Sequence, residues 1–120
     1  MNGQTVPTRV VLIELDDRPA AAELALGLAR AGHSIGLAHG TNAESAADGL
    51  QVKLERAGGI SLAINLDEGG MARAIRLMID VFGRLDEIAC FTPPAAEAAA
   101  EAVSTFPSRR HPRVRVMDRR

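Results

Sequence analysis

Few side chains in this 120-residue sequence are placed to do chemistry, and the adjacent carboxylates Asp16 and Asp17 stand out first. They follow an apolar run and precede Pro19. Either one suits the cap of a following helix, where a carboxylate accepts a backbone N–H and contributes about 0.5–2 kcal/mol. Two neighbouring acids without further oxygen ligands do not make a cation site. His33, His39 and His111 are too dispersed for metal-ligand spacing, so no metal is expected. Cys90 lies inside the apolar stretch EIACF and reads as a buried thiol; as the single cysteine it excludes an internal disulfide. No P-loop, His-Glu-x-x-His or nucleophile elbow occurs. With no Trp or Tyr and three Phe, no aromatic platform exists for single-stranded nucleic acid.

The elements that must position these residues alternate regularly. Arg9 to Glu14 (RVVLIE) is a β-branched run suited to a strand buried on both faces. Ala21, Leu24, Ala25, Leu28 and Ala31 then recur at helical spacing, and Gly32 closes the helix. Ser34 to Ala38 forms a second strand. Ala46, Leu50, Leu54 and Ala57 mark a second helix, stopped by Gly58 and Gly59. Ser61 to Leu66 is a third strand, and Met71, Ile75, Met78, Ile79 and Phe82 stripe a third helix. Glu87 to Phe91 is a fourth strand. After Pro93 and Pro94, an alanine-rich helix runs from Ala95 to Phe106, and Val114 and Val116 alternate with Arg113 and Arg115 in a final strand. Strand and helix alternating with short joints imply a parallel α/β sheet covered on both faces, in a three-layer Rossmann-like order 3-2-1-4-5.

Length bounds the chain to one domain over residues 1–120, with 1–8 and 118–120 expected to be flexible. A formal net charge of -1 gives no global field toward nucleic acid or membrane. Arg109, Arg110, Arg113, Arg115, Arg119 and Arg120 nevertheless crowd the last residues, as a phosphate-touching tail or a solvated end. No apolar run approaches the roughly 20 residues needed to span a bilayer. Met1 to Thr8 carries no signal-peptide pattern, so a cytoplasmic protein is expected.

Three stretches are similar to the short-chain dehydrogenase/reductase family, especially its ketoacyl-reductase-like members. They are LGLARAGHSIGLA (Leu26 to Ala38), LERAGGISLAINLDE (Leu54 to Glu68) and FGRLDEIACF (Phe82 to Phe91). They stand in the family's order and spacing from Arg9 to about Pro94. The resemblance implies the nucleotide-binding half of such an enzyme, in degenerate and truncated form.

The family's glycine turn, TGxxxGxG, falls here on Glu14 to Ala21, with Leu15, Pro19 and Ala21 at the glycine positions. Glycine permits the tight curvature and the close approach of backbone to a pyrophosphate. The family's NNAG segment appears as Cys90, Phe91, Thr92 and Pro93, and its Tyr-x-x-x-Lys pair has no counterpart, Lys53 being the only lysine. Asp67 matches an aspartate the family places near the adenine, although a cap for the next helix is the simpler reading. His39 falls near the expected ribose position, or is an unremarkable exposed histidine.

The resemblance thus implies no catalysis and no bound cofactor. A small-molecule ligand, if any, would meet a remnant crevice of Asp16, Asp17, His39, Asp67 and Thr92. The expected partner is a second copy or another protein, met through Ala99, Val103 and Phe106 on the fourth helix, since family members dimerise through helices flanking the fifth strand. A nucleotide or small-molecule sensor is the alternative.

Overall fold

The computed structural model describes residues 8–16, 18–106 and 111–117. Asp17, the arginines 109, 110, 119 and 120 and the end segments expected to be flexible lie outside these residues, apart from Thr8. Five strands run parallel: β1 (Val10–Glu14), β2 (Ser34–His39), β3 (Ile60–Asn65), β4 (Glu87–Cys90) and β5 (Arg113–Val116). Their lateral order is β3-β2-β1-β4-β5. The four connecting helices are α1 (Pro19–Arg30), α2 (Glu44–Arg56), α3 (Gly70–Phe82) and α4 (Pro93–Ser104), with a short 3-10 turn at Thr41–Ala43 before α2.

The order follows from side-chain parity. On β1, Val11 and Ile13 face α1 and α2, with Ile35, Leu37, Ala89 and Phe91 beside them. Val10 and Leu12 face α3 and α4, with Ile64, Ile88 and Cys90. Central strands buried on both faces must be apolar at every position, which is what VVLI supplies. The residues α1 buries are Ala21, Ala25 and Ala29, a small-residue ridge spaced four apart that lets the helix lie close to its neighbours. At Ala29 the approach is closest: a Cβ on Gly59 would stand 2.9 Å from the Ala29 Cα and 2.8 Å from its Cβ. Gly36, in mid-strand, leaves its place to Met78 from α3, whose Sδ would lie 2.3 Å from an added Cβ.

Proline begins two helices. Pro19 opens α1, and Pro93 with Pro94 opens α4, so the pair marks the helix start two residues before the expected Ala95. Proline costs nothing there, because the first-turn N–H groups have no partner within the helix.

Candidate functional site

The topological switch point lies where β1 is flanked by β2 on one side and β4 on the other, at the carboxyl ends of the strands. Beyond β1, Leu15 N still donates to Ala38 O at 2.8 Å. Asp16 Oδ1 then accepts from Arg18 N at 3.0 Å, and Asp16 Oδ2 stands 3.4 Å from Arg18 Nε. The residue at the cap position of α1 is Arg18, extended at φ -83 and ψ 141, with no side-chain capping bond. The expectation that Asp16 caps α1 is therefore corrected. A cap must reach the second or third helical N–H, and Asp16, two residues upstream of the cap position, closes the turn before the helix instead. Arg18 Nη1 continues across the switch point to donate to Phe91 O at 3.2 Å.

Glu14 fills the other side of the same gap. Its Oε1 accepts from Phe91 N at 2.5 Å and Thr92 N at 2.9 Å, and its Oε2 accepts from the Thr92 hydroxyl at 2.7 Å. Thr92 Oγ1 in turn accepts from Ala95 N at 3.4 Å, as the cap of α4. The last residue of β1 and the first turn after β4 are thus bonded to each other. Sequence reasoning overlooked Glu14. The available signal was a carboxylate ending an otherwise apolar central strand, a position at which charge needs a partner. Beneath it, burial first and the Glu14 charge second push the Cys90 thiol up to about 11, so it stays protonated at neutral pH.

At the ends of β2 and β3 the groups are also internally paired. His39 is 3% exposed, closes β2, and its Nδ1 lies 2.8 Å from Gly40 O; the expected exposed histidine is a buried one. Asp67 Oδ2 accepts from Thr41 N at 2.8 Å, while Asp67 N donates to Asn65 Oδ1 at 2.9 Å. Asn65 Nδ2 reaches Thr41 Oγ1 at 3.1 Å. The backbone and side-chain bonds from Thr41, with the nearby His39, hold the Asp67 carboxyl below its ordinary value. Asp67 does not cap α3, whose N-terminus is set by Gly69 at φ 102. The carboxylate leans back across the sheet edge to the turn after β2.

Two clefts divide the crevice residues anticipated among the described ones. A cleft of about 560 Å³ between the start of α1 and α2 is lined by Asp16, Arg18, Asn42 and Lys53 over a floor that includes Leu15 and Leu50. His39 lines a separate cleft of about 370 Å³ at the β3 edge. Asp67 and Thr92 line neither.

The anticipated interface residues are corrected too. Ala99 and Val103 are buried, and Phe106 packs half-buried on the same cluster. Positions 99, 102 and 103 form the helical stripe that covers the sheet, and Phe106, two residues beyond the end of α4, packs on the same cluster. Glu87, unremarked in the sequence, is buried on the sheet face and paired with both Arg9 and Arg115, the latter at 2.9 Å. Among the described residues no group of three or more His, Cys, Asp or Glu could hold a metal ion. No described helix is long and apolar enough to cross a membrane.

No family model and no curated protein matches the chain. Solved structures do. An acetoin dehydrogenase from Salmonella typhimurium is 27% identical with a TM-score of 0.61, over 72% of this chain and 36% of its own. A short-chain dehydrogenase from Oenococcus oeni is 20% identical with a TM-score of 0.62, over 78% and 47%. A Serratia marcescens short-chain dehydrogenase/reductase variant is 19% identical with a TM-score of 0.60, over 80% and 46%. The chain spans less than half the length of each of these. Its sheet and helices are those of the short-chain dehydrogenase fold.

Proposed function

We propose that this chain, built on the short-chain dehydrogenase fold, is a non-catalytic relative that works through protein–protein contact, as a homodimer or with a regulatory or scaffold partner. One observation carries the reading. The switch point is occupied by the protein's own charged groups, with Glu14 taking the N–H groups of Phe91 and Thr92 and Arg18 taking the Phe91 carbonyl. A pyrophosphate needs free N–H groups and glycine-bare backbone at the first turn. Here Leu15, Asp16, Arg18 and Pro19 present a bulky side chain, a carboxylate, a paired guanidinium and a missing donor. A dinucleotide would have to break the Glu14 and Arg18 bonds before making its own.

The test is thermal unfolding with nicotinamide and adenine dinucleotides. A ligand at 100 times its Kd stabilises by about 2.7 kcal/mol, so a bound dinucleotide is easily seen. The expected result is no shift at millimolar concentration; a saturable shift overturns the reading. Light scattering and affinity capture test the contact itself, and a strict monomer that captures nothing opposes it.

A second reading, a small-molecule sensor, is favoured by the cleft between α1 and α2. Arg18 and Lys53 stand over its partly apolar floor, suiting a small amphiphilic anion. Stabilisation by mononucleotides or aromatic carboxylates, lost in Lys53→Ala, would favour it over the contact reading.

A further inference from the structure

The cleft at the β3 edge holds an unused acceptor at its base. His39 is 3% exposed and lines this cleft, and its Nδ1 lies 2.8 Å from Gly40 O. A carbonyl only accepts, so in the neutral ring Nδ1 carries the proton and Nε2 is a lone pair. Among the described residues Nε2 has no partner. Asn65 stands beside His39 in the sheet register and does not supply one. Its Oδ1 already accepts from Asp67 N, and its Nδ2 donates to Thr41 Oγ1. A buried acceptor without a donor is unfavourable, so the ring is completed only by what enters the cleft. Ala63 adds a second acceptor: Leu66 N donates to His39 O, so by alternation the Ala63 carbonyl turns outward, into the cleft that Ala63 lines.

The charge around these acceptors is mostly of one sign. Glu44 and Asp48 stand four apart on α2 and line the same wall, and no residue three or four positions from either is basic. Neither they nor Glu68, beyond the end of β3, join an ion pair among the described residues. Arg73 answers one of these three carboxylates and leaves two negative charges over. Across the strand edge the lining is apolar: Leu62 and Ile64 from β3, then Leu77 and Val81 from α3, with Val81 57% exposed. We infer that this cleft binds a small organic cation, a primary ammonium group on a short alkyl chain. An ammonium carries three donors, and His39 Nε2, Ala63 O and the α2 carboxylates are acceptors to meet them, while the chain lies on Leu77 and Val81. The volume of about 370 Å³ suits a ligand of that size. Among the described residues no three His, Cys, Asp or Glu close on one metal ion, so the acidic wall fits a cation with extent. The site lies apart from the α1/α2 cleft and goes beyond the contact reading, which neither requires nor excludes it.

Two-dimensional NMR of the intact chain, titrated with hexylamine at about pH 8, where the amine is charged, is the test. Saturable shifts are expected together at the His39 imidazole and at the amides of Asp48, Ala63 and Val81. Hexanol keeps the chain and loses the charge, and should bind about tenfold more weakly or less; hexanoate should not bind. Glu44→Gln combined with Asp48→Asn, both at exposed positions, should weaken hexylamine by about tenfold or more and leave hexanol unchanged. Added salt should weaken hexylamine alone. Circular dichroism melts confirm that the double variant folds. Equal affinities for hexylamine and hexanol overturn the inference, as does a double variant that binds the amine like the parent. Shifts that never saturate, or that leave the His39 ring unmoved, overturn it as well.

Discussion

Replacing Glu14 with alanine tests whether the switch point is held shut by one side chain. The substitution removes the acceptor for Phe91 N, Thr92 N and the Thr92 hydroxyl together. Phe91 is 1% exposed, so its N–H is left dry, and an orphaned buried donor costs about 1–3 kcal/mol. Thr92 is only half-buried, and water can replace part of what it loses, leaving about 1 kcal/mol more. The sum is about 2–4 kcal/mol, a large share of the 5–15 kcal/mol typical of a domain. Glu14→Gln keeps an acceptor for both N–H groups; it loses the charge assistance, and its amide NH2 donates to the Thr92 hydroxyl instead of accepting from it, about 1 kcal/mol in all. In urea, with a slope of about 1–3 kcal/mol/M, the alanine variant should shift the midpoint by about 1–2 M without changing the slope. Amide exchange at Phe91 and Thr92 should accelerate in step. A midpoint shift under about 0.3 M for Glu14→Ala, or an equal loss for Glu14→Gln, refutes the account.

Three further outcomes follow from the geometry. Gly59→Ala forces a Cβ against the backbone of Ala29, which cannot rotate away, and should cost about 1–3 kcal/mol in chemical denaturation. The Asp67 carboxyl lies below its ordinary value of 3.8, held by Thr41 first and His39 last. Its stabilisation is therefore complete above that value and lost as pH falls through the lower folded one, so Asp67→Asn should flatten the acid limb of a stability profile. Cys90, fully buried and raised to about 11, should react with a thiol reagent at pH 8 only at the rate of unfolding, and rapidly in denaturant.

The fold was legible because its signals are long and redundant. RVVLIE, the alanine ridge of α1 and the methionine and isoleucine stripe of α3 each repeat one period several times, and the helix-ending glycines bracket them. The site was legible only as a set of missing parts. That Leu15, Pro19 and Ala21 occupy a turn written for glycine is visible in one dimension. Where Asp16, Asp67 and Glu14 send their carboxylates is not. Asp67 bonds a residue 26 positions away, and Glu14 bonds one 78 positions away, and neither partner has a local signature. The same limit explains α4. The stripe of Ala99, Val103 and Phe106 marks a buried face, but spacing alone does not say whether a sheet or a second protein buries it.

The lateral order β3-β2-β1-β4-β5 has a consequence for the nascent chain. Everything on one side of β1 is encoded by residue 65, whereas β4 begins only at Glu87. At about 5–20 residues per second, β1 waits for seconds with its second edge bare. The segment VVLI has the composition of a sticky window, and it is flanked by Arg9 and Glu14. During synthesis these two charges guard the bare edge. When β4 arrives, the same two residues become its fasteners, Arg9 onto Glu87 and Glu14 onto Phe91 and Thr92.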